Sequence, residues 1–145
     1  MKKIIVFSLL MMALSPIAFA QCDVKDYTNE CTDRLKPLGF RYLKSYKLDF
    51  LNGSKKQIMH SYVFSSGTSY IITLANAQKN NQGLYVTIRN SEKKAIASSY
   101  LEKDKKYMPA ITIACSRTGI YYLDFQVKEG KNYCGASVVG FKRGR

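Results

Sequence analysis

Tyrosine and basic side chains give this sequence its clearest capacity for recognition chemistry. The chain has 11 Tyr, and its 23 Lys and Arg outnumber 10 Asp and Glu. In a strand, side chains alternate between two faces, so Tyr85 and Arg89 share one face, and Tyr122 points away from the core of its own strand. An exposed Tyr ring can stack on a sugar while a neighbouring cation meets an acidic group. We therefore expect Tyr85, Arg89 and Tyr122 to belong to a binding surface. The ordinary alternative is that they are strand residues that cover a sheet.

Basic residues fall in three stretches that could extend such a surface. They are Lys55-Lys56, residues 93–106 and the tail 142–145, and the second stretch supplies three further candidates, Lys103, Lys105 and Lys106. A basic surface favours anionic partners such as acidic polysaccharide, lipid head groups or nucleic acid. If the three stretches gather at one end of the fold, they form a polyanion site. If they scatter, they are a solvated basic surface.

Catalytic and metal-binding patterns are not recognisable in the sequence. The one histidine, His60, has Ser and Asp residues near it but no G-x-S-x-G setting, so we expect it to be a strand residue on the sheet surface. Glu102 and Asp104 alternate with lysines, as in a solvated loop, and no D-x-D run suggests calcium. We predict no catalytic residue, no metal ligand and no cofactor.

The first twenty residues are typical of a secretory signal peptide. Lys2 and Lys3 precede an apolar run, and an A-x-A site ends at Ala20. The run is shorter than the roughly 20 residues of a membrane-spanning helix. Gln21 before Cys22 argues against a lipoprotein. We expect cleavage to leave residues 21–145, with a formal charge of about +11, in the periplasm, on the outer surface or in the medium.

Four cysteines in an exported chain predict disulfides. Three pairings are possible, and we favour the two local ones, Cys22–Cys31 and Cys115–Cys134. The absence of a C-x-x-C spacing disfavours a zinc site or a redox pair.

Alternating apolar residues predict an all-β fold after a short N-terminal helical or irregular segment. Asp26 could cap a helix there, and Asn52-Gly53 is a strong hairpin signal. About eight strands separated by polar turns indicate one antiparallel β-sandwich, of jelly-roll or Greek-key type, over residues 21–145. The expected strands are 40–50, 56–65, 70–74, 84–88, 94–100, 111–115, 121–127 and 133–141.

Residues 60–141 resemble the bacterial pre-peptidase C-terminal sandwich domain. The resemblance rests on SYIITL, then GLYVTIRNSEKKAIASSY, then ITIACSRTGIYYLDFQV, with GIYYL matching a Gly-x-Tyr-Tyr-x-hydrophobic strand. Members of that family are usually accessory or targeting modules of secreted proteases. Gln82-Gly83 stand where the family often has acidic residues, and the N-terminal strands are additional. The resemblance implies a non-catalytic sandwich and gives no ligand.

These observations favour an exported, non-catalytic module that binds an anionic polysaccharide or other polyanion at the cell envelope. A structural or assembly protein that docks a partner protein through a strand edge is the alternative. An enzyme with an unrecognised site is a third possibility. Export disfavours nucleic acid as a partner.

Overall fold

Two four-stranded antiparallel sheets pack face to face and carry one helix on an outer surface. The computed structural model describes residues 21–51, 53, 55–78, 81–128 and 133–144, so the predicted signal peptide lies outside the described residues. Within them lie one α-helix, a 3₁₀ turn and ten strands, in this order: α1 (Lys25–Asp33), the 3₁₀ turn (Lys36–Leu38), β1 (Arg41–Asp49), β2 (Gln57–Phe64), β3 (Thr68–Asn76), β4 (Leu84–Arg89), β5 (Ala95–Ser98), β6 (Tyr100–Leu101), β7 (Lys106–Tyr107), β8 (Ala110–Cys115), β9 (Gly119–Val127) and β10 (Cys134–Arg143).

The strand order confirms the predicted all-β sandwich and specifies its topology. Sheet A has the order β1-β10-β3-β8, and sheet B has the order β2-β9-β4-β5. Most consecutive strands therefore lie in opposite sheets, which is the winding of a jelly roll. The chain has ten strands among its described residues instead of about eight. The predicted strand 94–100 is interrupted at Ser99, and β6 pairs with β7 in a small separate ladder.

The predicted hairpin at Asn52-Gly53 is wrong. β1 pairs with β10 and β2 pairs with β9, so the segment between them connects the two sheets. Phe50 is buried, and its N–H donates to the carbonyl of Tyr133, 2.8 Å away. Because Phe50 is buried next to Tyr133, the backbone after β1 does not turn back to pair β1 with β2.

Alternating apolar side chains fill the space between the two sheets. β4 contributes Leu84, Val86 and Ile88 to this core, whereas half-buried Tyr85 and buried Thr87, which lie between them, are not part of it. Each fully buried aliphatic or aromatic side chain contributes roughly 1.5–3 kcal/mol to folding. The largest fully buried members of this core are Leu48, Phe50, Phe64, Ile72, Leu74, Leu84, Ile88, Leu123 and Phe125.

Helix α1 lies on the outer face of sheet A. Cys31 and Leu35 pack against Ile71, Ala75 and Val138 in a second apolar cluster. The predicted helix therefore exists, but Asp26 does not cap it. It lies in the first turn, while the Lys25 N–H donates to Oδ1 of Asp23 at 3.1 Å.

The cysteine pairing differs from both predicted bridges. Cys22 is bonded to Cys134 across 112 residues of sequence, and Cys31 and Cys115 are buried free thiols. Cys115 is level with Thr68 and hence with Arg143, nine residues along β10 from Cys134. That separation is about 30 Å along the sheet, which no disulfide can span. The thiol of Cys31 points from the helix to sheet A and donates to the Ala136 carbonyl at 3.6 Å, while Cys22 forms the bond to Cys134.

Candidate ligand-binding groove

A groove of about 830 Å³ lies beside the end of β3, between helix α1, the β3–β4 loop and the β6–β7 ladder. Its lining combines charged groups, side-chain amides and one tyrosine. The lining residues are Glu30, Arg34, Asn76, Ala77, Gln78, Asn81, Gln82, Asp104, Lys105, Lys106, Tyr107 and Pro109.

Arg34, the residue that follows helix α1, forms one wall of the groove and is held in place from two sides. Its Nη1 donates to the carbonyl of Leu74 and its Nη2 to a carboxylate oxygen of Glu30, one helical turn earlier. The amide Nδ2 of Asn81 donates to the same Leu74 carbonyl at 2.9 Å. The helix and the β3–β4 loop are therefore attached to one point at the end of β3.

Asn76, the last residue of β3, lines the groove but keeps its amide nitrogen buried. Its Oδ1 accepts the Gln78 N–H at 3.0 Å, which fixes the orientation of the amide group. Its Nδ2 is buried without a hydrogen-bond partner among the described residues, although the side chain lines the groove and Asn76 is only 8% exposed. Such a donor costs about 1–3 kcal/mol in the folded protein.

The opposite wall carries a cluster of tyrosines. The ring centroid of Tyr107 lies 4.8 Å from that of Tyr100 and 6.3 Å from that of Tyr85. Lys128 Nζ donates to the Tyr100 hydroxyl at 2.7 Å and lies 4.1 Å from the ring centroid. That hydrogen bond raises the pKa of Lys128, while burial raises the pKa of Tyr85 and of Tyr107. The cation therefore stays charged, and both phenols stay protonated, at neutral pH.

The charges of the groove nearly balance. Arg34, Lys105 and Lys106 are opposed by Glu30 and Asp104, which leaves one net positive charge among the described residues of the lining. Since Glu30 is paired with Arg34, the two lysines are the cations without an ion pair at this site among the described residues. The groove is therefore mildly basic and rich in hydrogen-bonding groups.

Only two of the six predicted binding residues line the groove, and the other four lie outside its lining. Lys105 and Lys106 line the groove. Lys103 is exposed in the same turn between β6 and β7 but is not part of the lining. Tyr85 is not part of the lining, although its ring lies next to that of Tyr107. Its hydroxyl donates to Oε1 of Gln126 at 2.5 Å.

Arg89 and Tyr122 lie farther along the outer face of sheet B. They are directly opposite each other in β4 and β9, and Arg89 is four residues, about 13 Å, from Tyr85. Arg89 Nε donates to Asp124, which is fully buried, at 2.9 Å. Gln57 and Gln126 each donate to the same carboxylate at 2.6 Å. Arg89 therefore compensates a buried charge.

The predicted basic stretches do not all lie at the same end of the sandwich. Lys56 lies at the groove end of the sandwich. Its carbonyl accepts the N–H of Val127, and Lys128, which follows Val127, donates its N–H to the carbonyl of Gly83 in the β3–β4 loop. Lys142 and Arg143 lie at the other end, where the Gly144 N–H donates to the carbonyl of Gly67. These two basic residues therefore cannot join a site at the groove.

His60 is a β2 residue whose ring stacks on Tyr46, with centroids 4.4 Å apart. It is half-buried at the edge of the two sheets instead of on an open surface. Burial, and after it the charge of Lys44, lower its pKa from 6.5. It does not line the groove.

Sequence analysis missed most of the residues that line the groove. Arg34 and Glu30 lie in the polar N-terminal segment, and Asn76, Gln78, Asn81 and Gln82 lie in a loop predicted only to be polar. The density of amides in NAQKNNQG, residues 76–83, was the available signal. In the part of the chain that the structure describes, no cluster of three or more His, Cys, Asp or Glu could hold a metal ion. No described helix is long and apolar enough to cross a membrane.

Comparison with known proteins gives structural likenesses and no family assignment. No protein-family model and no curated protein matches the sequence. One similar solved structure is a periplasmic lysozyme inhibitor of g-type lysozyme from Aeromonas hydrophila, with 11% identity over 71% of this chain and 86% of that chain and a TM-score of 0.49. Another is the pre-peptidase C-terminal domain of a collagenase from Bacillus anthracis, with 14% identity over 68% of this chain and 88% of that chain and a TM-score of 0.47.

The second match is a domain of the type that residues 60–141 resemble in sequence. At these identities and TM-scores, neither structure assigns a ligand, a partner or an activity to this chain.

Proposed function

We propose that this chain is an exported, non-catalytic binding module whose groove takes an anionic glycan. The observation that carries the proposal is the composition of the groove, where Lys105 and Lys106 stand beside four side-chain amides and a tyrosine. The lysines can meet carboxylates, the amides can donate to and accept from sugar hydroxyls, and Tyr107 offers an aromatic surface. The envelope or its surroundings would present such glycans to an exported protein.

Charge reversal at the groove tests the proposal. In Lys105→Glu/Lys106→Glu, we expect binding of acidic oligosaccharides to weaken at least tenfold, about 1.4 kcal/mol, because two attractive charges become repulsive. Isothermal titration calorimetry with uronate oligosaccharides measures this loss. Lys55→Glu/Lys56→Glu is the matched control, since it makes the same charge change at two exposed lysines outside the groove lining.

Equal weakening in the two double variants would show a diffuse electrostatic effect and would count against the groove. Binding by neither variant nor the unaltered protein, across neutral and acidic glycans, would refute the glycan-binding function itself.

A second candidate function, docking of a partner protein, is favoured by strand β2. Gln57–Phe64 contains no charged residue, lies at the edge of sheet B and exposes Met59 and Val63 beside Ile120 of β9. An uncharged, extended segment of another protein could add a strand there. Capture from the cell envelope distinguishes the functions, because a strand-added protein partner survives a high-salt wash and a glycan held by charge does not.

A further inference from the structure

The end of the sandwich opposite the groove forms a second basic surface. Two short turns join the sheets there, next to the start of β1, the end of β10 and the turn after β4. We propose that this end docks on the surface of an anionic phospholipid bilayer. It is called the distal end below and comprises residues 38–42, 63–67, 90–94, 116–120 and 141–144. This role is separate from the groove and goes beyond the proposed function.

The charges of the distal end are almost all positive. It has six basic residues and one acid, Glu92, so that it carries five net positive charges, against one among the described residues of the groove lining. All six basic side chains are exposed, and none forms an ion pair with another described residue. An anionic surface is the electrostatic complement of this end. The six are Arg41, Lys93, Lys94, Arg117, Lys142 and Arg143.

Large apolar side chains are exposed among these cations. Leu38, Tyr42, Val63 and Ile120 are each between 48% and 57% exposed. Val63 and Ile120 are directly opposite each other in β2 and β9. Apolar groups that remain in water within a polar rim are typical of a surface that meets a partner or a membrane.

A cleft of about 260 Å³ lies beside Val63 at the distal end and is lined by both sheets. Most of its lining is aliphatic or aromatic, and one charged residue, Arg143, belongs to it. Its apolar lining residues are Leu43, Tyr62, Val63, Tyr70 and Phe141. A guanidinium group can bind a phosphate through two parallel hydrogen bonds. Apolar walls beside a guanidinium group therefore match a molecule that joins a phosphate to an acyl chain.

An anionic bilayer accounts for both the charge and the apolar exposure. A soluble polyanion would engage the cations but would leave Val63 and Ile120 in water. A protein strand added to β2 would contact that strand along its whole length and would not need the cations of β1, β10 and the turns. A bilayer presents phosphates directly above acyl chains, so the cations and the apolar side chains of one end meet their complements together.

Lipid composition and charge reversal test the electrostatic contact. We expect the protein to cosediment with vesicles of phosphatidylglycerol and phosphatidylcholine at about 0.1 M salt, and not with vesicles of phosphatidylcholine alone. In Lys142→Glu/Arg143→Glu, binding should weaken at least tenfold, because two attracted charges become repelled. Lys55→Glu/Lys56→Glu is the matched control and should change binding less than twofold. Lys56 lies eight residues, about 25 Å, from the end of β2, well beyond the Debye length of about 10 Å.

Serine substitutions on one face of β2 test the apolar contact. In Val63→Ser, binding to the anionic vesicles should weaken about fivefold, because an apolar side chain no longer enters the bilayer surface. Met59→Ser is the matched control and should leave vesicle binding unchanged. Met59 is also exposed on β2 but lies four residues, about 13 Å, farther from the distal end. That distance exceeds the roughly 5–10 Å to which surface-bound apolar groups enter a bilayer.

Three results would overturn the proposal. The first is failure to bind the anionic vesicles, which would leave glycan binding at the groove intact because calorimetry measures that separately. The second is equal weakening in the two charge-reversal variants, which would show a diffuse attraction without a docking surface. The third is equal binding by Val63→Ser and Met59→Ser, which would show that charge alone holds the protein to the vesicle.

Discussion

His60 shows how position alone changes the chemistry of a residue. The ring packs against Tyr46 and Phe125, with centroids 4.4 and 6.2 Å away. Its lowered pKa means that the folded protein resists protonation of this ring, mainly because the charged form would lose water. His60 therefore makes the stability of the folded protein depend on pH, and it does not line the groove.

We expect the unfolding free energy to fall as the pH decreases from 7 towards 5. The unfolded chain takes up a proton on His60 near its ordinary pKa of 6.5, before the folded chain does, so acid favours unfolding across this window. Well above pH 6.5 both states are neutral at His60 and the contribution is complete. In His60→Gln, the decrease between pH 7 and pH 5 should be smaller. Urea unfolding at the two pH values measures it, and identical slopes in both proteins would contradict the assignment.

The β3–β4 loop is the element that brings the amide side chains to the groove. It returns to sheet B through Gly83, whose φ of +84° suits a residue without a Cβ. A Cβ at this position would lie 2.0 Å from the Tyr133 hydroxyl. The loop therefore approaches the start of β10 more closely than any other residue type would permit.

Gly83→Ala should destabilise the protein by about 2–4 kcal/mol, since it combines backbone strain with a clash against a buried side chain. Gly67→Ala is the matched control, with φ of +75° and no atom within 4 Å of the added Cβ, and we expect about 1–2 kcal/mol there. Chemical denaturation of both variants gives the difference. Equal losses would show that the contact with Tyr133 is relieved at no cost.

Across the whole molecule, the Cys22–Cys134 bond attaches the segment before α1 to the start of β10. This bond and the cluster around Cys31 and Leu35 hold the helix against sheet A. The helix contributes Arg34 and Glu30 to the groove. Covalent closure of the chain thus stabilises both the fold and one wall of the candidate site.

Cys22→Ser/Cys134→Ser should lower the unfolding free energy by about 4–5 kcal/mol, because the bond closes a loop of 112 residues in the unfolded chain. In the unaltered protein, non-reducing peptide mapping should give a Cys22–Cys134 bridge. Cys31 and Cys115 should react with a thiol reagent only after denaturation, since both are buried and burial raises the pKa of Cys31 to about 11. A Cys22–Cys31 or Cys115–Cys134 peptide would contradict this pairing.

Strand periodicity was predictable because it is a local property. Leu84, Val86 and Ile88 alternate with Tyr85 and Thr87, and this pattern determines which face of β4 joins the core wherever the strand lies in the sheet. The same argument placed Tyr85 and Arg89 on the outward face, and the register of β4 agrees with it. It could not show that Arg89 would be paired with Asp124, because that contact depends on the neighbouring strand.

The hairpin and disulfide predictions failed because strand pairing and disulfide bonding depend on contacts between residues that are distant in sequence. Each assumed that residues close in sequence are partners, whereas a jelly roll sends successive strands to different sheets. Phe50 leaves β1 for the core, and Cys22 finds Cys134 instead of Cys31. Sequence proximity is a weak guide wherever the topology is dominated by long-range pairing.

The sequence by itself determined the all-β class, the alternation of buried and exposed residues, the basic character and the features typical of an export signal. These depend on composition and on short periods that any segment carries with it. Only the tertiary structure decided the strand order, the disulfide and the groove. The groove joins Arg34, Asn76 and Lys106, which are far apart in sequence and meet because packing of the helix and the small ladder against the end of β3 brings them together.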